Sequence, residues 1–298
     1  MICSSKSIIL RSFGTHDGSF HADEVTACVL LIIFDKVDLA KVRRTRDEKI
    51  LSTCEYVCDV GGVYDPDKKR FDHHQSDYRG TYSSAGMVLK YLKDEGVITD
   101  RLYRYLNNSL IKGIDAVDNG KATFKKGHSS FSSVIANFVP AQHHVAPQML
   151  DQAFSQALDF CLGHLNRLIA KFHYIQECYP EIKAEMAKQQ QVLYFTHSMP
   201  WIEPFFELGG NNHPALFIIM PTGTQWKLRG IPPTYEKHMQ VRMPLPKEWA
   251  GLIDEELKKK SRISGAVFCH KGRFISVWET KEDAVKACDY VLNRKRKL

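Results

Sequence analysis

The stretch "SIILRSFGTHDGSFHADEVTACVLLIIFD", residues 7–35, carries the signature of the architecture. It opens with the β-favouring run Ile8, Ile9 and Leu10 and passes through a polar turn containing Gly18. From Ala22 onward its apolar residues crowd every side of a helical period, as in a helix sunk in a core. Strand, turn and buried helix in that order form the repeating unit of α/β architecture with a mostly parallel sheet. The pattern continues outward. "EYVCDVGGVYD" (55–65) reads as a second buried strand ending in a glycine pair, and "KRF" (69–71) as a short extended piece. "SSAGMVLKYLKDEG" (83–96) reads as a helix capped by Ser83 or Ser84 and ended at Gly96, and 100–119 repeats apolar residues at helical spacing up to Gly120.

Beyond this, 147–191 is amphipathic, lacks β signals and predicts one or two helices interrupted near Pro180. The runs 190–195, 215–221, 224–231, 239–245 ("MQVRMPL") and 265–278 then predict strands, followed by a capped helix over 280–292. The expected organisation is therefore a catalytic α/β domain over 1–146, a helical connection over 147–190, and a smaller mixed α/β domain over 191–298.

Composition bounds the function. A chain of 298 residues, 44% apolar, buries a real core. Its eight cysteines are scattered, several inside apolar runs, which predicts reduced thiols and a cytoplasmic location rather than a secreted disulfide framework. Cys54 and Cys58 have no second pair to complete a zinc site, so burial accounts for them better. No run is long enough to span a bilayer and no signal-type start is present. The formal charge of +7 is compatible with an acidic partner, although "NRKRKL" (293–298) holds much of the excess.

The chemistry gathers where elements end. His16 follows the first strand, His21 and Asp23 stand at the start of the next helix, Asp59 ends "EYVC", and Asp72, His73 and His74 follow "KRF". Asp115 and Asp118, three apart, share a helix face directed away from the core positions Ile111 and Ile114. In an open parallel sheet the carboxyl ends of the strands meet at one crevice. Each piece alone has an ordinary explanation, and the adjacent His143 and His144 show that a histidine pair by itself carries no function. Jointly, imidazoles and carboxylates from four segments form a set larger than one ion can use. They suit two divalent cations, Mn²⁺ or Mg²⁺ first, with Zn²⁺ and Fe²⁺ also compatible. Two such ions would lower the pKa of a bridging water and neutralise phosphoryl oxygens.

The triplet Asp72-His73-His74, with the acidic motifs around it in this order, resembles the DHH phosphoesterase superfamily. The stretches "THDGSFHADEVTACVLL", "DVGGVYDPDKKRFDHHQ", "YSSAGMVLKYL" and "GIDAVDNG" look most like its melanocyte proliferating gene (MYG) family of metal-dependent exonucleases, as do "RGIPP" and "GAVFCHKGRFISVWETKEDAVKA" later in the chain. The resemblance implies a DHH-type parallel-sheet domain followed by a smaller mixed α/β domain, and hydrolysis of phosphodiester bonds in single-stranded RNA or short oligonucleotides. It also implies roles for residues: His16, His21 and Asp59 on one ion; Asp23, Asp59, His73 and either Asp115 or Asp118 on the other; His74 toward the substrate phosphate; and Asp72 orienting a neighbouring imidazole. Asp59, Asp72 and His74 are then the catalytic group.

Two departures stand out. His21 occupies a position where many superfamily members carry Asp, and the C-terminal half lacks their glycine-rich histidine motif, for which His270 is a stand-in. His74, Arg229, Arg242, His270 and Lys271 are the candidate substrate contacts. The alternatives are a small-molecule phosphohydrolase acting on pyrophosphate, a nucleotide or a dinucleotide, and a non-catalytic metal-binding protein. Polarity of cleavage, RNA against DNA, and homo-oligomerisation are left open by the sequence.

Overall fold

The structure, a computed structural model, describes residues 7–142 and 144–295. Cys3, His143 and the last residues of the basic C-terminal run lie outside the described residues. The chain divides into two compact units with the boundary between Phe172 and His173.

The first unit begins with β1 (Ile9–Thr15), α1 (Ala22–Ile33), β2 (Val42–Arg44), α2 (Glu48–Leu51), β3 (Cys54–Cys58), β4 (Tyr64–Asp65) and β5 (Arg70–Phe71). It continues with α3 (Ser84–Asp94), α4 (Asp100–Leu106), a π-helical segment Asn107–Ile111, α5 (Lys112–Asp118) and α6 (Phe131–Ala136). The strands run in the order β2-β1-β3-β5-β4, parallel except for the β4–β5 pair. Parallel pairing puts the carboxyl ends of β1, β3 and β5 on one edge, and the loops leaving them carry His16, Asp59 and Asp72.

In α1 every residue from Ala22 to Leu31 is buried, as its all-round apolar composition requires. It packs with Phe13, Tyr56 and Phe71 of the sheet and Met87, Val88 and Leu92 of α3 in one core cluster. That burial has a consequence for Asp23 and Glu24 in its first turn. Both carboxylates are fully buried, where an unpaired charge is costly unless a cation or proton answers it.

Two expectations change here. The second strand stops at Cys58 instead of running through the glycine pair. There Asp59 enters the left-handed region (φ +58°), followed by Gly61 and Gly62, also at positive φ, and the chain returns as β4 against β5. The edge strand β2 was not foreseen, since "VRR" carries too little apolar content to signal it.

A single helix, α7 (Pro147–Met186), crosses from the first unit into the second. The expected interruption at Pro180 is absent, because proline removes one hydrogen bond from a helix whose flanking residues Cys178, Ile182 and Met186 are held in a core cluster. Within the helical stretch expected over 147–190, residues 147–186 form one continuous helix.

The second unit contains β6 (Val192–Tyr194), α8 (Ile202–Glu207), β7 (Phe217–Thr222), β8 (Gln225–Gly230), α9 (Asp254–Ser261), β9 (Ala266–Cys269), β10 (Ile275–Trp278) and α10 (Lys281–Lys295). Its sheet runs β6-β7-β8-β10-β9, with β6–β7 parallel and the rest antiparallel. The stretch "MQVRMPL" forms no strand: Pro244 lacks a ladder donor, and the segment is held by Arg242 instead. The remaining strand runs lie where the alternation placed them. The seven cysteines among the described residues are free and buried.

Candidate metal centre

Asp59 is the hub. Its backbone N–H donates to Phe71 O at 3.1 Å, tying the end of β3 to the end of β5. The left-handed φ at this residue is a conformation Asp adopts more readily than most non-glycine residues. One carboxylate oxygen, Oδ2, lies 3.2 Å from His16 Nε2, and the other, Oδ1, lies 3.4 Å from His73 Nε2 and 3.4 Å from His74 Nδ1. A single side chain therefore stands between the imidazole delivered by β1 and the pair delivered by β5.

On the β1 side, His16 Nδ1 lies 2.9 Å from Asp17 O, so it carries the proton in the neutral ring and directs Nε2 inward as the free donor atom. That Nε2 is also 3.3 Å from Glu24 Oε1, while the N–H of His21 donates to the same oxygen at 2.8 Å, capping α1. Ligand atoms of His16, His21, Glu24 and Asp59 all fall within 4.8 Å of one another. Glu24 was missed in the sequence, where "ADEV" reads as an ordinary acidic first turn; its capping-type spacing from His21 was the available signal.

On the β5 side, His73 Nε2 is 2.9 Å from Asp118 Oδ2 and 3.9 Å from Asp23 Oδ2. His21, Asp23 and Asp118 form another group whose ligand atoms meet the same 4.8 Å condition, as do Asp59, His73 and His74. Asp115 lies apart. Its Oδ1 accepts from the Ser83 N–H (3.0 Å), the Ser83 hydroxyl (2.7 Å) and the Gly86 N–H (3.2 Å), so this buried carboxylate serves the N-terminus of α3. A β-carbon on Gly86 would collide with the Asp115 carboxylate, which is why a glycine is needed there. The shared outward face expected for Asp115 and Asp118 is thus split between two neighbours, because α5 packs against α3.

Asp72 holds the histidine turn in place. Its Oδ2 accepts from the Gly62 N–H at 2.6 Å, and its Oδ1 accepts from the His74 N–H at 3.1 Å and faces His74 Nδ1 at 2.9 Å. The His74 ring is 64% exposed, whereas the His73 side chain is 7% exposed. Adjacent rings on one turning backbone are thereby presented to different surroundings.

The electrostatics call for a cation. Burial alone would lower His16 and His73, but Asp59 with Glu24 for the first, and Asp118 with Asp59 for the second, push both up to about 10. Burial opposes ionisation of Asp59, yet the imidazoles of His16 and His73 beside it pull it down to about 2. Asp23 is driven well above the usual carboxylate range, first by burial and then by Asp59. Protons on the histidines answer the carboxylates as far as they can, and polar atoms remain over. Both oxygens of Asp23, Oε2 of Glu24, Oδ1 of Asp59 and Nε2 of His73 are buried without a hydrogen-bond partner. Orphaned carboxylate oxygens converging with imidazole nitrogens fit divalent cations of the hard-to-borderline kind.

A cleft of about 440 Å³ opens beside these residues. His21, Asp23, His74 and Asp118 line it together with Ile114, Val117, Phe124, Ser132, Ser133 and Ala136.

The substrate candidates of the second unit differ among themselves. The Arg229 guanidinium sits 4.5 Å from the Phe274 ring centroid and donates to His238 O at 2.8 Å. The His270 ring lies tilted against the same ring, centroids 4.3 Å apart, and accepts from the Gly272 N–H in the hairpin turn, with Lys271 beside it exposed. The Arg242 guanidinium is committed to the carbonyls of Gly210, His213, Ala215 and Pro232, which makes it a structural clamp for the segment that failed to become a strand. Among the described residues no helix is long and apolar enough to cross a membrane.

Comparison with known proteins agrees with the motif reading. The family model MYG1_exonuc, described as an uncharacterised protein family (UPF0160), matches residues 12–292. A MYG1 protein of Chlamydia pneumoniae is 52% identical over 279 residues, covering 94% of this chain and 96% of that one. A MYG1 protein of Chlamydia trachomatis is 50% identical over 288 residues, covering 97% and 99%. The human protein named MYG1 exonuclease is 30% identical over 324 residues, covering 94% and 85%. With a family model matched over residues 12–292 and relatives at 50–52% identity covered almost from end to end, the chain belongs to the MYG1 family.

Proposed function

We propose that this protein is a metal-dependent phosphodiester hydrolase, an exonuclease acting on single-stranded RNA or short oligonucleotides with two divalent cations. The observation that carries the reading is the convergence of buried, partnerless oxygens of Asp23, Glu24 and Asp59 with the imidazoles of His16 and His73. The exonuclease name of the human relative supports a hydrolytic nuclease.

In this reading His16, His21, Glu24 and Asp59 hold one ion, and Asp23, Asp59, His73 and Asp118 hold the other. Bound there, two cations supply electrostatic stabilisation of the phosphoryl oxygens and lower the pKa of water. The protein's own part is positional. Asp59 ties the two halves of the site together through its two oxygens. Asp72 accepts from Nδ1–H of His74 and so leaves Nε2 as the atom offered to the cleft; in the imidazolium form, which carries an N–H on both nitrogens, the ring donates through Nε2 to a phosphoryl oxygen as charge accumulates in the transition state. Arg229, His270 and Lys271 are proposed as substrate contacts from the second unit, and Arg242 is released from that role by its carbonyl ligands.

The deciding experiment incubates chelator-stripped protein with end-labelled single-stranded RNA, a dinucleotide and pyrophosphate, adding Mn²⁺, Mg²⁺ or Zn²⁺ in turn. A ladder of mononucleotide products restored by metal is the expected result. Release of phosphate from pyrophosphate with intact RNA would replace the nuclease reading by the small-molecule one, and no turnover with any substrate would leave a metal-binding protein.

A further inference from the structure

Phe124 is an anomaly in the first unit. It is 74% exposed, the most exposed large apolar side chain among the described residues, yet it lines the cleft that His74, Asp23 and Asp118 also line. A ring left in water forgoes the burial that normally places phenylalanine in a core. The loop that carries it, "GKATFKKGHSS" over 120–130, holds Lys121, Lys125 and Lys126 and no acidic residue. These three lysines are exposed. The cleft thus combines a carboxylate and imidazole cluster suited to divalent cations with an unburied aromatic face, and the loop that carries the ring bears three exposed cations.

We infer that Phe124 is a stacking platform for an unpaired nucleobase next to the scissile phosphate, with the lysines of its loop attracting the adjoining backbone. The inference rests on the nuclease reading of the site and narrows its substrate class. Every base has a π-face, so a phenyl ring accepts any of the four. A base already paired and stacked in a duplex cannot use it, and pyrophosphate offers nothing to stack. Single-strand selectivity without sequence preference follows from one ring.

The test uses full-length metal-loaded protein, wild type, Phe124→Ala and Phe124→Trp, on two kinds of single-stranded oligonucleotide. One is intact; the other carries an abasic residue in place of the end nucleotide, with each terminus made abasic in a separate substrate so that polarity need not be known. Stacking on a base that is bound equally in the ground and transition states predicts that Phe124→Ala raises KM on the intact strand by about tenfold with kcat little changed, while Phe124→Trp retains wild-type KM. On the strand whose abasic end is the one attacked, wild type itself shows the raised KM and Phe124→Ala adds nothing. An unchanged KM for Phe124→Ala on the intact strand, or the same fold-loss on intact and abasic strands, overturns the stacking role while leaving the nuclease reading in place. Wild-type protein that hydrolyses pyrophosphate and neither oligonucleotide overturns both. Because the ring is exposed, Phe124→Ala is expected to keep the wild-type melting temperature, which separates a binding effect from a folding one.

Discussion

Asp59 faces His16 with one carboxylate oxygen at 3.2 Å and His73 with the other at 3.4 Å, so one left-handed residue at the end of β3 joins two imidazoles that stand 57 positions apart in the chain. Replacing Asp59 with Asn keeps the shape but removes the negative charge and leaves one neutral acceptor oxygen, with an NH2 donor in place of the other. Metal content by elemental analysis should fall together with hydrolysis, by on the order of 10²-fold or more in rate. A fully loaded, fully active Asp59→Asn protein would contradict the shared role.

The two histidines of the triplet should separate under the same pair of measurements. His73→Ala removes a nearly buried nitrogen among Asp23, Asp59 and Asp118, and lowers both metal occupancy and turnover. His74→Ala removes a largely exposed ring held by Asp72 and leaves occupancy nearly intact while lowering kcat by on the order of 10²-fold. Equal metal loss in the two variants would refute the division.

Glu24→Gln isolates charge from capping. The amide oxygen still accepts from the His21 N–H, so α1 keeps its start, but the negative charge beside His16 is gone. Metal affinity measured by competition with a chelator should drop by about 10-fold to 100-fold with little change in helical circular dichroism.

Asp115 and Asp118 make opposite predictions despite their spacing. Asp115→Ala strips three hydrogen bonds from the start of α3 and should cost about 2 kcal/mol in urea denaturation at unchanged metal content. Asp118→Asn should lower metal content with a smaller loss of stability. The reverse pattern would assign the ligand to Asp115.

The stripped protein has a pH signature. His16 and His73 rise from 6.5 to about 10 on folding, so their stabilisation is complete below pH 6.5 and is lost as pH climbs through 10. Asp59 falls from 3.8 to about 2, so its contribution is present above pH 3.8 and is lost as pH falls through 2. Melting temperatures in chelator should therefore decline from pH 7 toward pH 10, and should decline less in a His16→Gln, His73→Gln protein. Metal binding should strengthen over the same interval as protons leave the ligands. A melting temperature that rises with pH in the stripped wild type would show that those protons are not held.

The α/β class, the strand ends that carry His16, Asp59 and Asp72, and the burial of the cysteines were legible along the chain. These features reside in local period and composition: α1 is apolar on every side, β3 is a short apolar run, and polar turns separate them. Which side chain faces which neighbour across elements was set by long-range packing. Glu24 joins His16 because the loop after β1 folds back over the first turn of α1. Asp118 meets His73 while Asp115 caps α3 because α5 packs against α3, and nothing in "GIDAVDNG" encodes that partner. Pro180 remains helical because core contacts outweigh one lost hydrogen bond, whereas "MQVRMPL" forms no strand because its arginine and proline favour a clamped loop. Phe124, an ordinary apolar residue in a loop when read along the chain, becomes an exposed ring in the cleft only once the chain is folded. Periodicity reports how a segment folds onto itself; long-range packing chooses its partners.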